Sequence, residues 1–360
     1  MIENTKSTDN KISDPLQDIN SKNILPLFAQ KLNINHFSAS QFAKPDGSWL
    51  IEYVWMDQPT RRKVLLPNSA MSGGIAVGNV LQNVLADVIW KFNSAKKLHP
   101  VKWNKKTSEE SLQEELEKFK EYEPVDENDR VKHHKYLEEF PQLVVHGFKA
   151  LEEIGLTSHI TCENQISLTS NNINGNFLPC SLPIVGRLDF QLDDPSVFGK
   201  APHEINPTSQ DAFLPKKIVE LKTKWSRLGK VKKNGERSFI RVSPPPTPSF
   251  NHLIQCACYS AYYDFKVPVY LLYVTNEGFK TFTSNNCAGL TVEGLKKNFQ
   301  IMMNVFRRRE KLLSINEDKT RDEIIEGAIS MIDPMFDHPW CWNNYPKEVL
   351  QEVKDLWSMS

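Results

Sequence analysis

The chain has 360 residues, and its 44 lysines and arginines balance its 44 aspartates and glutamates. This balance argues against a chain that is basic throughout, so any affinity for nucleic acid has to arise from local charge. No apolar run approaches the ~18 residues that a membrane span needs, and the polar segment 1–23 lacks the apolar core of an export signal. We therefore expect a protein of the reducing cytoplasm, without a membrane partner, whose six cysteines are buried free thiols.

The predicted elements divide the chain into three parts. Residues 1–23 are rich in Asn, Asp, Ser and Lys, which predicts a flexible tail. Residues 24–315 carry helix and strand patterns and are predicted to form one domain. Residues 316–360 are predicted to form a C-terminal extension that packs on this domain.

Three local patterns open the domain. Ser38 or Ser40 is expected to cap a short helix. Residues 49–56 have the aromatic and β-branched content of a strand. Residues 73–92 carry a stripe of apolar residues at helical spacing, which predicts a helix over that range.

A helical insertion is predicted near residues 100–155. Residues 107–122 form a charged amphipathic pattern with a thin apolar edge. Residues 129–154 continue the helical pattern, and Pro141 is expected to break that helix.

Two predicted strands then bring acidic side chains together. Residues 186–190 have the sequence Gly-Arg-Leu-Asp-Phe, and residues 218–223 have the sequence Ile-Val-Glu-Leu-Lys-Thr. Side chains on a strand alternate between its two faces. We therefore expect Asp189, Glu220 and Lys222 to lie on the faces opposite the apolar residues of their strands. Two carboxylates and an amine that converge suit a hard divalent cation and a water nucleophile. We therefore predict these three side chains as the catalytic residues.

Asp189 followed by Glu220-Leu221-Lys222 resembles the D…(D/E)-x-K signature of the PD-(D/E)XK nuclease superfamily, and the surrounding residues are most similar to its RecB-like exonuclease branch. The resemblance implies an α/β fold with a central mixed β-sheet flanked by helices. It also implies Mg²⁺ or Mn²⁺ bound by Asp189, Glu220 and the Leu221 backbone carbonyl, with Lys222 positioning water. The implied activity is metal-dependent hydrolysis of DNA by an exonuclease that acts on single strands or DNA ends in replication, recombination or repair.

Two further positions resemble metal-site positions of the same branch. Residues 78–82 resemble its G-x-x-x-His motif, with Gln82 at the place of a metal-binding histidine. A polar helix–helix contact is the alternative for Gln82. Residues 160–168 are predicted to form a strand whose even-numbered residues share one face. Glu163 lies in this strand, and the branch often carries a glutamate in the strand before the one with the aspartate. A surface glutamate is the alternative for Glu163.

A third match follows the E-x-K strand. Gln255 and Tyr259 reproduce the Gln-x-x-x-Tyr helix of the branch, whose residues line the site and touch DNA, and His252 shares their helix face. The alternative is a partly polar helix of the core.

A basic segment over residues 216–241 supplies the local charge. Cations that follow a phosphate backbone, interleaved with aromatic rings that stack on bases, suit single-stranded DNA. We predict Lys224, Trp225, Arg227 and Lys230 as DNA contacts. A solvated basic hairpin is the alternative.

Two other functions stay open at this point. A restriction-type endonuclease would share the metal site, and a catalytically inactive DNA-binding protein would explain Gln82 at the histidine position. No iron–sulfur cluster is expected, because Cys256 and Cys258 lie within a helix pattern. DNA is the predicted partner, together with proteins of replication or recombination. The Asn, Lys and Ile content is typical of an AT-rich genome such as that of a phage.

Residues 193–215 carry four prolines and one glycine and are expected to form a surface loop.

Overall fold

The computed structural model describes residues 25–92, 98–169, 180–194, 214–231, 237–338, 341–342 and 345–358. The predicted tail over 1–23 and most of the predicted loop over 193–215 lie outside the described residues. Residues 232–236 of the basic segment also lie outside them.

A mixed eight-stranded sheet lies at the centre of the fold, which confirms the predicted α/β architecture. The strands are β1 (Phe37–Ser38), β2 (Val88–Phe92), β3 (Leu98–Lys102), β4 (Ile160–Leu168), β5 (Ile184–Leu192), β6 (Lys217–Lys224), β7 (Arg227–Val231), β8 (Arg237–Ile240), β9 (Val269–Thr275) and β10 (Gly278–Phe282). Their order across the sheet is β10-β9-β6-β5-β4-β2-β3, with β1 beside β5, while β7 and β8 pair separately. The β1/β5, β2/β4 and β6/β9 pairs are parallel, and the other pairs are antiparallel.

Helices cover both faces of the sheet. They are α1 (Leu27–Leu32), α2 (Asp46–Leu50), α3 (Gln58–Val64), α4 (Ser69–Leu85), α5 (Ser108–Lys120), α6 (Glu127–Glu153), α7 (Phe250–Tyr262), α8 (Val292–Ser314), α9 (Arg321–Ile329) and α10 (Lys347–Ser358). Apolar residues of α4 and α6 pack on one face, and those of α7 and α8 pack on the other. In the described part of the chain no single helix has the length and apolar content to cross a membrane, although α3 and α4, bent by 105°, meet that requirement as a pair.

The short helix near the start agrees with the prediction, although the Ser38 side chain at its N-cap makes no capping hydrogen bond. The predicted strand over 49–56 is wrong. A 3₁₀ helix over Ala39–Ala43 follows Ser38, and α2 continues into a π-helical turn over Ile51–Trp55. Pro45 precedes α2, where its fixed φ suits a helix start. Burial of Leu50 and Val54 at helical spacing outweighs the strand propensity of the segment.

Two predicted helices have different bounds in the structure. The helix predicted over 73–92 ends at Leu85, and the Asp87 carboxylate accepts a hydrogen bond from the Ile160 N–H (3.0 Å), which draws the next residues into β2 beside β4. The helix predicted to break at Pro141 runs through it as α6, because Phe140 and Leu143 on either side are fully buried. Their packing outweighs the backbone hydrogen bond that proline cannot make.

The C-terminal extension contacts the N-terminal part of the chain. Trp342, Tyr345 and Val353 are buried in one apolar cluster with Ile51. The Tyr345 hydroxyl lies 3.1 Å from the buried Glu52 carboxylate. All six cysteines are described and none forms a disulfide, and only one of them is not fully buried.

Candidate active site

The predicted catalytic residues meet where the pairing between β5 and β6 ends. Phe190 and Val219 are the last paired residues of this ladder toward the site. Beyond them the Asp189 carboxylate accepts a hydrogen bond from the Leu221 N–H (2.7 Å) in place of a backbone carbonyl. A residue's N–H and C=O point to the same edge of a strand, so the Leu221 carbonyl also faces the edge occupied by Asp189.

Strand β6 alternates as predicted, and its polar side chains form a chain of contacts that ends on α7. Lys222 pairs with Glu220 and donates to the Gln255 side-chain oxygen (3.0 Å). The Gln255 amide in turn donates to the Tyr259 hydroxyl (2.5 Å). The amine of Lys222 therefore has a fixed position between the two elements.

The predicted single face of β4 is wrong, because the strand reverses its faces at the site. Cys162 packs with α4 and α6, whereas Ile166 packs on the opposite face with α7. Glu163 lies between them with a φ of 58°, a left-handed conformation that is rare for a side chain other than glycine. In the β4/β5 register Glu163 stands opposite Asp189, and such irregular backbone is often found at functional sites.

The two carboxyls are strongly affected by their surroundings. Burial raises the pKa of Asp189 well above its usual value, and the nearby Glu220 carboxylate raises it further. Burial also raises the pKa of Glu220, against the opposing effect of Lys222. Although burial alone lowers the pKa of Lys222, the Glu220 and Asp189 carboxylates raise it above its usual value, so the amine stays protonated.

One oxygen of this site lacks a partner. Glu220 is only 2% exposed; its Oε1 holds Lys222, and its Oε2 makes no hydrogen bond of normal geometry with a described residue. The Tyr259 hydroxyl is the other polar group close enough to lower the pKa of this carboxyl. A buried carboxylate oxygen without a donor costs free energy that a bound cation would recover. Within the described ranges no group of three or more His, Cys, Asp or Glu side chains has the arrangement of a metal site. The oxygens that the sequence resemblance names as metal ligands, those of Asp189, Glu220 and the Leu221 carbonyl, are of the kind that a hard cation binds together with water.

Gln82 lies beside this donor set. Its amide donates to the Glu163 carboxylate (2.7 Å) and, more weakly, to the Asp189 backbone carbonyl (3.4 Å). The other Glu163 oxygen accepts from Arg187 (3.0 Å). The structure thus brings Gln82 and Glu163 to the site, where they contact each other.

A cleft of about 1560 Å³ opens over these residues. It extends beyond the carboxylates along α4 toward β2 and α5. Sequence reasoning missed Arg187, although its position two residues before Asp189 already placed it on the same strand face. It also missed the cleft-lining residues of α4, such as Met71 and Ile75, because their apolar side chains resemble the rest of the helical stripe.

The predicted DNA contacts separate into two groups. Lys224 and Arg227 line the cleft, whereas Lys230 is exposed on β7 and does not line it. Trp225 borders the cleft but is only 6% exposed, and its ring packs against Tyr136 at 4.9 Å between centroids.

Two residues predicted to contact DNA from α7 are engaged within the protein. Tyr259 is buried behind Gln255. His252 contacts the Tyr273 hydroxyl (2.6 Å), and burial, with Lys222 and Lys224 nearby, lowers its pKa to about 4. Of the α7 residues named from sequence, Gln255 is the one that lines the cleft.

Comparison with known proteins adds no relative. No protein-family model matches the chain, and no curated protein gives a significant match to it. The function proposed for the chain therefore depends on the geometry of this site.

Proposed function

We propose that the protein is a metal-dependent deoxyribonuclease, and that it acts as an exonuclease on single strands or DNA ends. The observation that carries this proposal is the pair formed by the half-buried Asp189 and the buried Glu220 at the end of the β5/β6 ladder, with one unpartnered carboxylate oxygen and Lys222 beside it. A cation bound between two such carboxylates would favour their charged forms, and clusters of groups with perturbed pKa values occur often at catalytic sites.

The chain's own residues divide the chemistry between them. Asp189, Glu220 and the Leu221 carbonyl would hold Mg²⁺ or Mn²⁺. When bound, such an ion acts as a Lewis acid that lowers the pKa of water and offsets the charge of the scissile phosphate. Lys222, which lies beside Glu220 and Gln255, would orient the attacking water and the phosphate. Gln255 keeps the amine in place.

The surrounding cleft suits an anionic polymer. Lys224, Arg227 and Arg187 line the same cleft as the carboxylate pair, and phosphates are neutralised by such side chains. DNA is the proposed partner, in the reducing cytoplasm, during replication, recombination or repair.

The test compares linear and circular single-stranded DNA, with Mg²⁺ or Mn²⁺ and with chelator. We expect metal-dependent loss of the linear strand, and a loss of at least about 1000-fold in rate for Asp189→Asn and Glu220→Gln. Glu114→Gln is the matched control, since this carboxylate lines the same cleft but pairs with Lys106 and Lys118. It should retain activity.

Each other result has a definite meaning. Cleavage of the circle would identify an endonuclease instead. Binding without cleavage of either DNA would identify a non-catalytic DNA-binding protein. Full activity in Asp189→Asn would overturn the proposed site.

A further inference from the structure

The floor of the cleft differs in chemistry from its walls. Helix α4 contributes Ala70, Met71, Gly74, Ile75, Gly78, Asn79, Gln82 and Asn83 to the lining, and none of them is charged. Met71 and Ile75 are large apolar side chains that are 57% and 60% exposed within this cleft. Exposed apolar groups in a recess are typical of a binding surface.

Glycines keep this floor low. A Cβ atom at Gly74 would lie 2.7 Å from the Thr223 hydroxyl, so glycine allows α4 to lie close against β6. At Gly78 a Cβ atom would meet no heavy atom within 4 Å, so this position faces open space in the cleft. A helical glycine without a packing neighbour is unfavourable by about 1 kcal/mol relative to alanine, which points to a reason outside the fold.

The walls carry the charges. Seven lysine and arginine side chains and five carboxylates line the cleft, and three of the carboxylates are Asp189, Glu220 and Glu163 at the site. On the wall away from the site, the Lys91 ammonium lies over the Trp103 ring at 3.8 Å and has no ion pair among the described residues. Burial and the neighbouring Lys106 and Lys118 lower the pKa of Lys91. A phosphate beside Lys91 would relieve this repulsion.

We propose that the surface formed by Met71, Gly74, Ile75 and Gly78, here called the α4 floor, binds the bases of an unpaired DNA strand whose phosphates lie along the cationic walls. This inference rests on the proposed function and specifies the form of its substrate. The floor is continuous with the carboxylate pair, because Asp189 and Glu220 line the same cleft. A strand lying on the floor therefore leads to the reacting phosphate.

An unpaired strand fits this arrangement better than a duplex does. In a duplex the bases stack on each other and pair inside, and the outer surface offers mainly phosphate and sugar. Apolar side chains between two charged walls would then have no partner. In a single strand the base faces are available for apolar contact, and such contacts do not depend on sequence.

The test separates base contacts from phosphate contacts. An oligo(dT) of about 12 nucleotides and an abasic deoxyribose–phosphate chain of the same length are titrated by fluorescence anisotropy, with chelator present so that metal-dependent hydrolysis is suppressed. The wild type should bind oligo(dT) roughly tenfold more tightly than the abasic chain. In Gly78→Leu and in the double variant Met71→Ser/Ile75→Ser this preference should disappear, while affinity for the abasic chain should not change.

The controls address folding and surface apolarity. Gly78→Leu places a better helix former at an open position, so its melting temperature should equal or exceed that of the wild type. Ile315→Ser removes a similarly exposed apolar side chain, 54% exposed, outside the cleft and should keep the preference for bases.

Equal binding of both chains by the wild type, or an equal loss of both by the floor variants, would overturn the inference. If the variants lose the preference for bases but the wild type hydrolyses no DNA, the proposed nuclease activity is refuted and the base-binding role of the α4 floor stands. If the wild type hydrolyses DNA but shows no preference for bases, the nuclease proposal stands and the inference about the α4 floor is refuted.

Discussion

Two regions of the molecule bury a glutamate, and they treat its oxygens differently. On α8, Glu310 accepts hydrogen bonds from the Ser181 and Leu182 N–H groups (2.8 and 2.6 Å) and from the Ser181 hydroxyl (3.0 Å). At the end of the β5/β6 ladder, Glu220 uses one oxygen for Lys222 and has no described partner for the other. Burial raises the pKa of both carboxyls. The described contacts satisfy both oxygens of Glu310, whereas they leave one oxygen of Glu220 without a partner.

Arg309, next to Glu310, shows the same completeness in a cation. Its guanidinium donates to Asp46 (3.0 Å) and to the carbonyls of Gln41 (3.0 Å) and Lys44 (2.5 Å). It also lies over the Trp49 ring at 4.6 Å. The contrast suggests that satisfied charges in this protein hold segments together, whereas the unsatisfied carboxylate binds something else.

The largest expected effect tests the structural region. Arg309→Met should lower the free energy of unfolding by about 3–5 kcal/mol, because it leaves buried acceptors without their donor. Urea unfolding measures this change. Arg308→Met is the control, since Arg308 contacts the same Asp46 carboxylate from a side chain that is 65% exposed, and it should cost about 0–1 kcal/mol. Similar decreases in unfolding free energy for Arg309→Met and Arg308→Met would mean that the burial of Arg309 adds nothing to its contribution to stability.

An intermediate effect tests the other region. If Glu220 and Asp189 need a cation, Mg²⁺ or Mn²⁺ at 100 times its dissociation constant should stabilise the wild type by about 2.7 kcal/mol. A thermal melt with and without the ion measures this as a rise in melting temperature. Asp189→Asn should lose the rise, and Glu310→Gln should keep it despite a lower starting temperature. An equal rise in Asp189→Asn would place the cation elsewhere.

The alternation of side chains in β6 was predicted correctly because it depends on local strand geometry. In β6 the alternate side chains of Glu220 and Lys222 follow directly from strand geometry, and β4 has the predicted bounds. Where tertiary contacts decide, prediction failed. The left-handed Glu163 reverses the faces of its strand, and no residue-by-residue pattern signals such a reversal.

The α4 floor shows a second limit of sequence reasoning. Ile75 and Val77 both belong to an apolar helix, but only Ile75 faces the cleft, whereas Val77 is fully buried. Their difference depends on which elements surround α4. The sequence likewise does not indicate that Gly78 faces open space in the cleft, where a Cβ atom would meet no neighbour.

The smallest expected effect concerns Asp189 without a divalent cation. Burial and Glu220 raise its pKa in the folded protein above the unfolded value of about 3.9. Stability from this group is therefore present below the unfolded-state pKa and is lost as pH rises through the higher folded-state pKa. Asp189→Asn removes the ionisable group, so with chelator at neutral pH the variant should be more stable than the wild type, by on the order of 1 kcal/mol.

Urea unfolding between neutral pH and about pH 4 measures how this difference changes. It should shrink toward acid, because the wild-type carboxyl becomes neutral like the amide that replaces it. The opposite result, a variant less stable at neutral pH whose deficit disappears in acid, would mean that Lys222 already compensates Asp189. The charge of Asp189 would then be satisfied within the protein, as the charge of Glu310 is. Only the unpartnered oxygen of Glu220 would remain to account for any binding of a cation.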